Sequence, residues 1–206
     1  MINKKVCKIC LRPLPTDEKG NLLSSDDICH ECLRKKNLIE EIDWSAKQKE
    51  FEDIIESIRG KHKFDALIML SGGKDSVYVA YLLAKVYKLK VVGITIDNGF
   101  EYDSTFDNSS KVASKLGISH FIYRLPTKDM KNYYKVLIGD KDLRMDDGSQ
   151  LCFFCGRMLK SLSIDIAKKL DVGMVVSGHT LEQIRALGNE KGKDLSLIHI
   201  SEPTRP

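Results

Sequence analysis

The chain has 206 residues, enough for one medium domain and a small appendage. Its 42% hydrophobic and 30% charged content excludes intrinsic disorder as the organising feature, and the absence of a long apolar run excludes a helical membrane span. The net charge of +4 permits a nucleic-acid partner without demanding one.

The first residues, Met-Ile-Asn-Lys-Lys, carry no apolar signal segment, so the expected compartment is the cytoplasm, with no membrane insertion. All six cysteines fall in C-x-x-C pairs. In a cytosolic chain that pairing reads as metal or redox chemistry. Residues 1–36 hold four of them, as Cys7-x2-Cys10-x18-Cys29-x2-Cys32. The spacing suits a four-thiolate Zn²⁺ knuckle. So short a segment buries little core, and a metal would supply the missing stability. His30, between the last two cysteines, is a substitute ligand.

Residues 37–60 read as a linker helix. Ile39, Ile42, Phe51, Ile54, Ile55 and Ile58 recur at three- and four-residue steps, and Gly60 is the stop signal. From residue 61 to 194 strands and helices alternate. Strands are predicted at 66–70, 91–96, 120–123 and 174–177, and helices at 76–87, 106–116, 129–137 and 155–170, with a polar loop over 139–151. This order predicts an α/β domain with a parallel sheet, helices on both faces, and ligands at the carboxyl ends of the strands.

Ser71-Gly72-Gly73-Lys74-Asp75-Ser76 stands between the first strand and the first helix of this domain. The glycines let the backbone approach an oxyanion, and the helix start offers unpaired N–H groups and partial positive charge. Lys74 adds a point charge, Ser71 and Ser76 add hydroxyls, and Asp75 can orient the loop or hold Mg²⁺. The Walker spacing G-x-x-x-x-G-K-[ST] is absent. The six-residue string resembles the PP-loop of the ATP pyrophosphatase superfamily. That resemblance implies a Rossmann-like (HUP) fold that binds ATP, attacks its α-phosphate and releases pyrophosphate. It also implies adenosine contacts at Asp97, and a Gly178-His179 segment that helps close the nucleotide pocket. Leu181-Glu182-Gln183 stand where many relatives carry two aspartates, which ranks Glu182 below Lys74.

Cys152-Phe153-Phe154-Cys155-Gly156-Arg157 opens a helix, where thiols become nucleophiles or metal ligands. Two cysteines do not complete an iron–sulfur cluster. The layout of Cys152, Cys155, Arg157, Lys160 and Gly178-His179 resembles the tRNA-thiolating branch of the superfamily. That branch implies a third cysteine further along, a [4Fe–4S] cluster, tRNA and a sulfur donor as partners, and a zinc knuckle before the PP-loop in one group. Lys74, Asp75, Cys152 and Cys155 are then the catalytic candidates. Ile42-Asp43-Trp44 followed by Phe51-Glu52 resembles a second branch, the N-acetyl sugar amidotransferases of surface-polysaccharide synthesis. That branch implies a nucleotide sugar and ammonia from a glutaminase. A third reading is a non-enzymatic, zinc-bearing nucleotide adaptor. A homodimer is also expected.

The segment 195–206 is left out of the fold expectation. Leu195 to Arg205 resembles the in-frame translation of a sequencing-library adapter, and a scar of that kind is not part of a fold. His199 therefore receives no role, and the 61–194 domain is expected to be truncated at its C-terminus.

Overall fold

The computed structural model describes residues 5–14, 26–30, 32–33, 43–143, 150–179 and, for the backbone, 198–200. Two compact units divide the chain, Met1–Ile54 and Ile55–Pro206. The expected helical residues 37–42, part of the polar loop (144–149) and Glu182 lie outside the described residues.

Helix α1 spans Trp44–Ile58. Asp43 starts it, its Oδ1 accepting the Ala46 N–H at 2.9 Å, a side-chain N-cap. The Asp43-Trp44 pair therefore has a local structural reason, and Trp44 itself is exposed. Ile55 and Ile58 are the buried residues of the helix.

Four strands form the predicted parallel sheet: β1 (Phe64–Met69), β2 (Val91–Asp97), β3 (Ser119–Arg124) and β4 (Val172–Ser177). The spatial order is β3-β2-β1-β4, extended by a short antiparallel strand β5 (Ile198–Ile200) on β4. That edge strand comes from the segment set aside above as foreign. An exposed strand edge accepts any extended neighbour with free backbone groups, whatever its origin.

The intervening helices are α2 (Lys74–Tyr81), α3 (Asp103–Leu116), α4 (Thr127–Gly139) and α5 (Gln150–Lys169). Helix α2 continues into a π turn over Leu82–Val86, closed by the Tyr87 N–H on the Leu82 carbonyl at 2.8 Å. The π turn breaks the 3.6-residue phase. Val86 is exposed, while Leu83 and Leu89 are buried. Helix α5 begins at Gln150, five residues before the predicted Cys155, so both cysteines of the third pair lie within its first two turns.

The core follows from the pleat. Leu67, Val92, Ile94 and Val175 share one face of the sheet and form one cluster with Val172 and with Ile166 and Ala167 of α5. Burying each such side chain contributes roughly 1.5–3 kcal/mol relative to exposure. Near-continuous apolar strands of this kind are what a buried parallel sheet requires. The order places β2 and β3 on one side of β1 and β4 on the other. The β1/β4 boundary is therefore the topological switch point, where a crevice opens at the carboxyl ends.

Candidate nucleotide site and two cysteine centres

The loop Ser71–Ser76 leaves β1 at that switch point, and Ser177-Gly178-His179 leaves β4 beside it. Their contact is intimate. A Cβ added to Gly178 would lie 2.6 Å from the Ser76 nitrogen and 2.8 Å from its Cα. Gly72 adopts φ +71°, and a Cβ there would lie 2.9 Å from the Thr105 carbonyl oxygen of α3. Glycine is thus required at 72 for conformation and at 178 for space.

Within the loop, the Ser76 hydroxyl donates to the Gly73 carbonyl at 3.0 Å. Its oxygen stands 3.1 Å from the Ser71 hydroxyl and accepts the Ser71 N–H at 3.3 Å. Ser76 is 4% exposed. Its hydroxyl therefore braces the loop from inside. The start of α2 at Gly73 has no side-chain cap, which leaves the N–H groups of the first turn for an anion. Lys74 is 88% exposed and its Nζ sits 2.7 Å from Asp75 Oδ1. A pair so open contributes little stability, so both side chains can turn to a polyphosphate and its cation.

Asp97 closes an Asx turn after β2, its Oδ1 accepting the Gly99 N–H at 2.8 Å, while Oδ2 lies 3.4 Å from Arg124 Nε. His179 Nδ1 stands 2.8 Å from the Ser177 hydroxyl. Burial and the nearby Lys160 cation lower its pKa below the usual imidazole value. Lys160 is lowered in turn by burial and by Arg157. Arg157 lies over the Phe153 ring, 4.5 Å from its centroid. The start of α5 thus brings basic groups toward the residues following β4.

Cys155 and Cys152 differ. Cys152 is exposed, whereas Cys155 is half-buried. The Cys155 sulfur stands 3.1 Å from the Tyr134 hydroxyl of α4 and 3.9 Å from Asn98 Nδ2 at the end of β2. Asn98 Oδ1 accepts the Phe100 N–H at 2.9 Å, which sets the amide with its NH₂ toward Tyr134. That NH₂ can only donate, so the Tyr134 oxygen accepts from it and its proton is free for the sulfur. Burial, then the Cys155 thiol, raise the Tyr134 phenol well above its ordinary pKa, so it stays protonated. Tyr134 carries no sequence signal. It meets Cys155 only because α4 and α5 pack together. Cys152 and Cys155 supply two ligands, fewer than an iron–sulfur cluster takes. The remaining four cysteines are gathered with one another.

Those four are in the N-terminal unit. The sulfurs of Cys7, Cys10, Cys29 and Cys32 all lie within 4.8 Å of one another. Cys10 and Cys29 are 3.7 Å apart. Tetrahedral Zn–S bonds of about 2.3 Å place sulfurs roughly 3.8 Å apart, so the cradle fits zinc. Backbone N–H groups of Cys10, Cys29 and Ile9 aimed at Cys7 lower its thiol to about 6, against burial. The Cys29 N–H, at 3.3 Å, is one of them. Burial and the neighbouring sulfurs push Cys32 up to about 12. His30 is exposed and lies outside the cluster.

A parallel α/β sheet with a glycine loop and an uncapped helix at its switch point defines an ATP-utilising PP-loop protein. The family model for asparagine synthase matches residues 58–168, more than half of the chain, and the chain belongs to that family and to the PP-loop ATP pyrophosphatase superfamily. Among curated relatives, the uncharacterized protein MJ1599 of Methanocaldococcus jannaschii is 24% identical over 96% of this chain and 67% of its own length. The tRNA-specific 2-thiouridylase MnmA of Treponema denticola is 30% identical over 61% of this chain and 36% of its own. The chain therefore spans about a third of that thiouridylase. Among solved structures, the U34-tRNA thiolase NcsA of Methanococcus maripaludis with its [4Fe-4S] cluster aligns at 24% identity. That alignment covers 89% of this chain and 57% of NcsA, with a TM-score of 0.45. The NH3-dependent NAD synthetase of Campylobacter jejuni aligns at 19% identity over 69% of this chain and 59% of its own, with a TM-score of 0.47. No helix among the described residues is long and apolar enough to cross a membrane.

Proposed function

We propose that this chain is the ATP-binding part of an adenylating tRNA sulfurtransferase. The observation that carries the reading is the position of Cys155, whose sulfur is tied through Tyr134 and Asn98 to the carboxyl end of β2. That is the edge of the sheet at which the superfamily handles its nucleotide. The curated relative named as a tRNA-specific 2-thiouridylase supports the same choice of acceptor.

In this reading the loop Ser71–Ser76, with Gly72 and Gly73 in close approach, holds the phosphates of ATP. Lys74 neutralises charge on them, and Asp75 orients the loop or holds Mg²⁺. Asp97, Gly178 and His179 border the nucleotide. A base oxygen of tRNA attacks the α-phosphorus, the bond from that phosphorus to the bridging oxygen of pyrophosphate breaks, and pyrophosphate leaves with the electron pair. The base oxygen is then part of AMP, a far better leaving group than hydroxide. Sulfur delivered at Cys152 and Cys155 from a sulfide-level donor adds to the base carbon that bears the activated oxygen, the bond from that carbon to the oxygen breaks, and AMP departs with the oxygen and its electron pair. The Cys7, Cys10, Cys29 and Cys32 knuckle holds zinc and gives its small unit the stability its core lacks. The cytoplasm, where tRNA and ATP meet, is the proposed compartment, and a homodimer is the proposed assembly.

The test incubates the full chain with ATP, Mg²⁺, sulfide and bulk tRNA, and digests the tRNA for mass spectrometry of nucleosides. A new thionucleoside is expected, with AMP and pyrophosphate in equal amounts, both lost in Lys74→Ala. A parallel reaction supplies ammonia and an N-acetylated nucleotide sugar. Amidination of the sugar there, without thionucleoside, would replace this reading with the amidotransferase one that Ile42-Asp43-Trp44 resembles.

A further inference from the structure

The residue that follows β1 gives its carbonyl to a side chain. The backbone pairing with β2 reaches Leu70, whose N–H donates to the Ile94 carbonyl at 2.8 Å. The Leu70 carbonyl, the next acceptor, takes the Thr95 hydroxyl at 2.6 Å. Thr95 is 3% exposed and Leu70 is 1% exposed.

The direction of each bond is forced. A carbonyl only accepts, so the Thr95 O–H donates to it. The single Thr95 proton is then used, and the oxygen accepts from His120 Nε2, 2.9 Å away. His120 must therefore carry its proton on Nε2. Burial lowers the pKa of His120, in keeping with a neutral ring. His120 reaches from β3 across β2 over Gly93. A Cβ at 93 would lie 3.4 Å from His120 Cδ2 and 3.6 Å from Leu70 Cδ2. The missing side chain at 93 leaves room over β2 for both the imidazole and the Leu70 side chain.

Leu70 is the residue from which the phosphate loop springs. We propose that Thr95 and His120 are positioning residues for the nucleotide: together they lock the Leu70 carbonyl and hold the root of Ser71–Ser76 in its binding geometry before ATP arrives. The inference rests on ATP binding at that loop. Neither residue needs to touch the ligand. Their effect is preorganisation, which removes the cost of ordering the loop on binding.

The experiment is calorimetric titration of Mg-ATP into the full chain and its variants. Thr95→Val leaves the buried Leu70 carbonyl without its donor and weakens ATP binding by roughly tenfold. Thr95→Ser keeps the hydroxyl and binds within about twofold of the parent. Parent-like binding by Thr95→Val overturns the proposal. Equal weakening by Thr95→Ser also overturns it, because then the methyl group matters and the hydroxyl does not. Should Thr95→Val fail to fold, His120→Leu against His120→Gln decides. Glutamine restores an N–H donor and binds ATP more tightly than leucine, whereas parent-like binding by His120→Leu sinks the idea. Lys74→Ala run alongside separates the two levels. Parent-like ATP binding by Lys74→Ala removes the nucleotide reading itself; weakening by Lys74→Ala but not by Thr95→Val removes only the positioning role.

Discussion

Gly178 and Gly156 carry opposite expectations for the same substitution. A methyl at 178 meets the backbone of Ser76 and Asp75 at 2.6 to 3.0 Å, and backbone cannot step aside as a flexible side chain can. Gly178→Ala should cost about 1–3 kcal/mol in urea denaturation and shift the first turn of α2. A methyl at 156 meets nothing within 4 Å, on a helix. Gly156→Ala should stabilise by about 0.5–1 kcal/mol. If the two variants move stability in the same direction, the close packing of β4 on the phosphate loop is wrong. The loop residues themselves were legible as a string, because glycine, serine and lysine at a strand–helix junction have few other uses. The division of labour among them was not. Nothing in the string says that the Ser76 hydroxyl turns inward while Lys74 stands in solvent.

At the scale of elements, the four parallel strands were legible because a buried strand must be apolar throughout, as Ala66 to Met69 and Val172 to Val176 are. Boundaries were less so. The start of α5 at Gln150 follows a stretch whose polarity read as loop, and the π turn after Tyr81 breaks a period that the sequence appeared to continue. The contact of Tyr134 with Cys155 was invisible, since it depends on how two helices meet. At the opposite end of β1, the turn before β4 is clasped by His62 and Lys63. His62 Nδ1 lies 2.8 Å from Asp171 Oδ1, and the Lys63 N–H donates to Oδ2 at 2.9 Å. These bonds, His62 first, hold the Asp171 carboxyl below its ordinary pKa. A depressed carboxyl contributes stability above its unfolded value, about 3.9, and loses it as pH falls through the folded value. Asp171→Asn keeps a residue suited to the φ of +54° but not the charge. Its Tm should lie below the parent's at neutral pH, and the gap should close below about pH 4. A gap that is constant from pH 7 to pH 3 would show that the carboxylate plays no part.

For the whole molecule, the alternation of strands and helices was enough to predict a parallel α/β sheet, and the cysteine spacing was enough to predict the cluster whose four sulfurs converge. The strand β5 was not foreseen, because its residues were read as foreign to the fold. Belonging to the asparagine synthase family marks an ATP-utilising enzyme, and the reaction and its acceptor are the proposal made above. All of it depends on a polyphosphate seated between the loop after β1 and the segment after β4. Equilibrium titration of Mg-ATP against the full chain and Lys74→Ala addresses that directly. Saturable one-to-one binding by the parent, weakened at least about tenfold in the variant, is the predicted result. No binding by the folded parent, or equal binding by the two proteins, would contradict it.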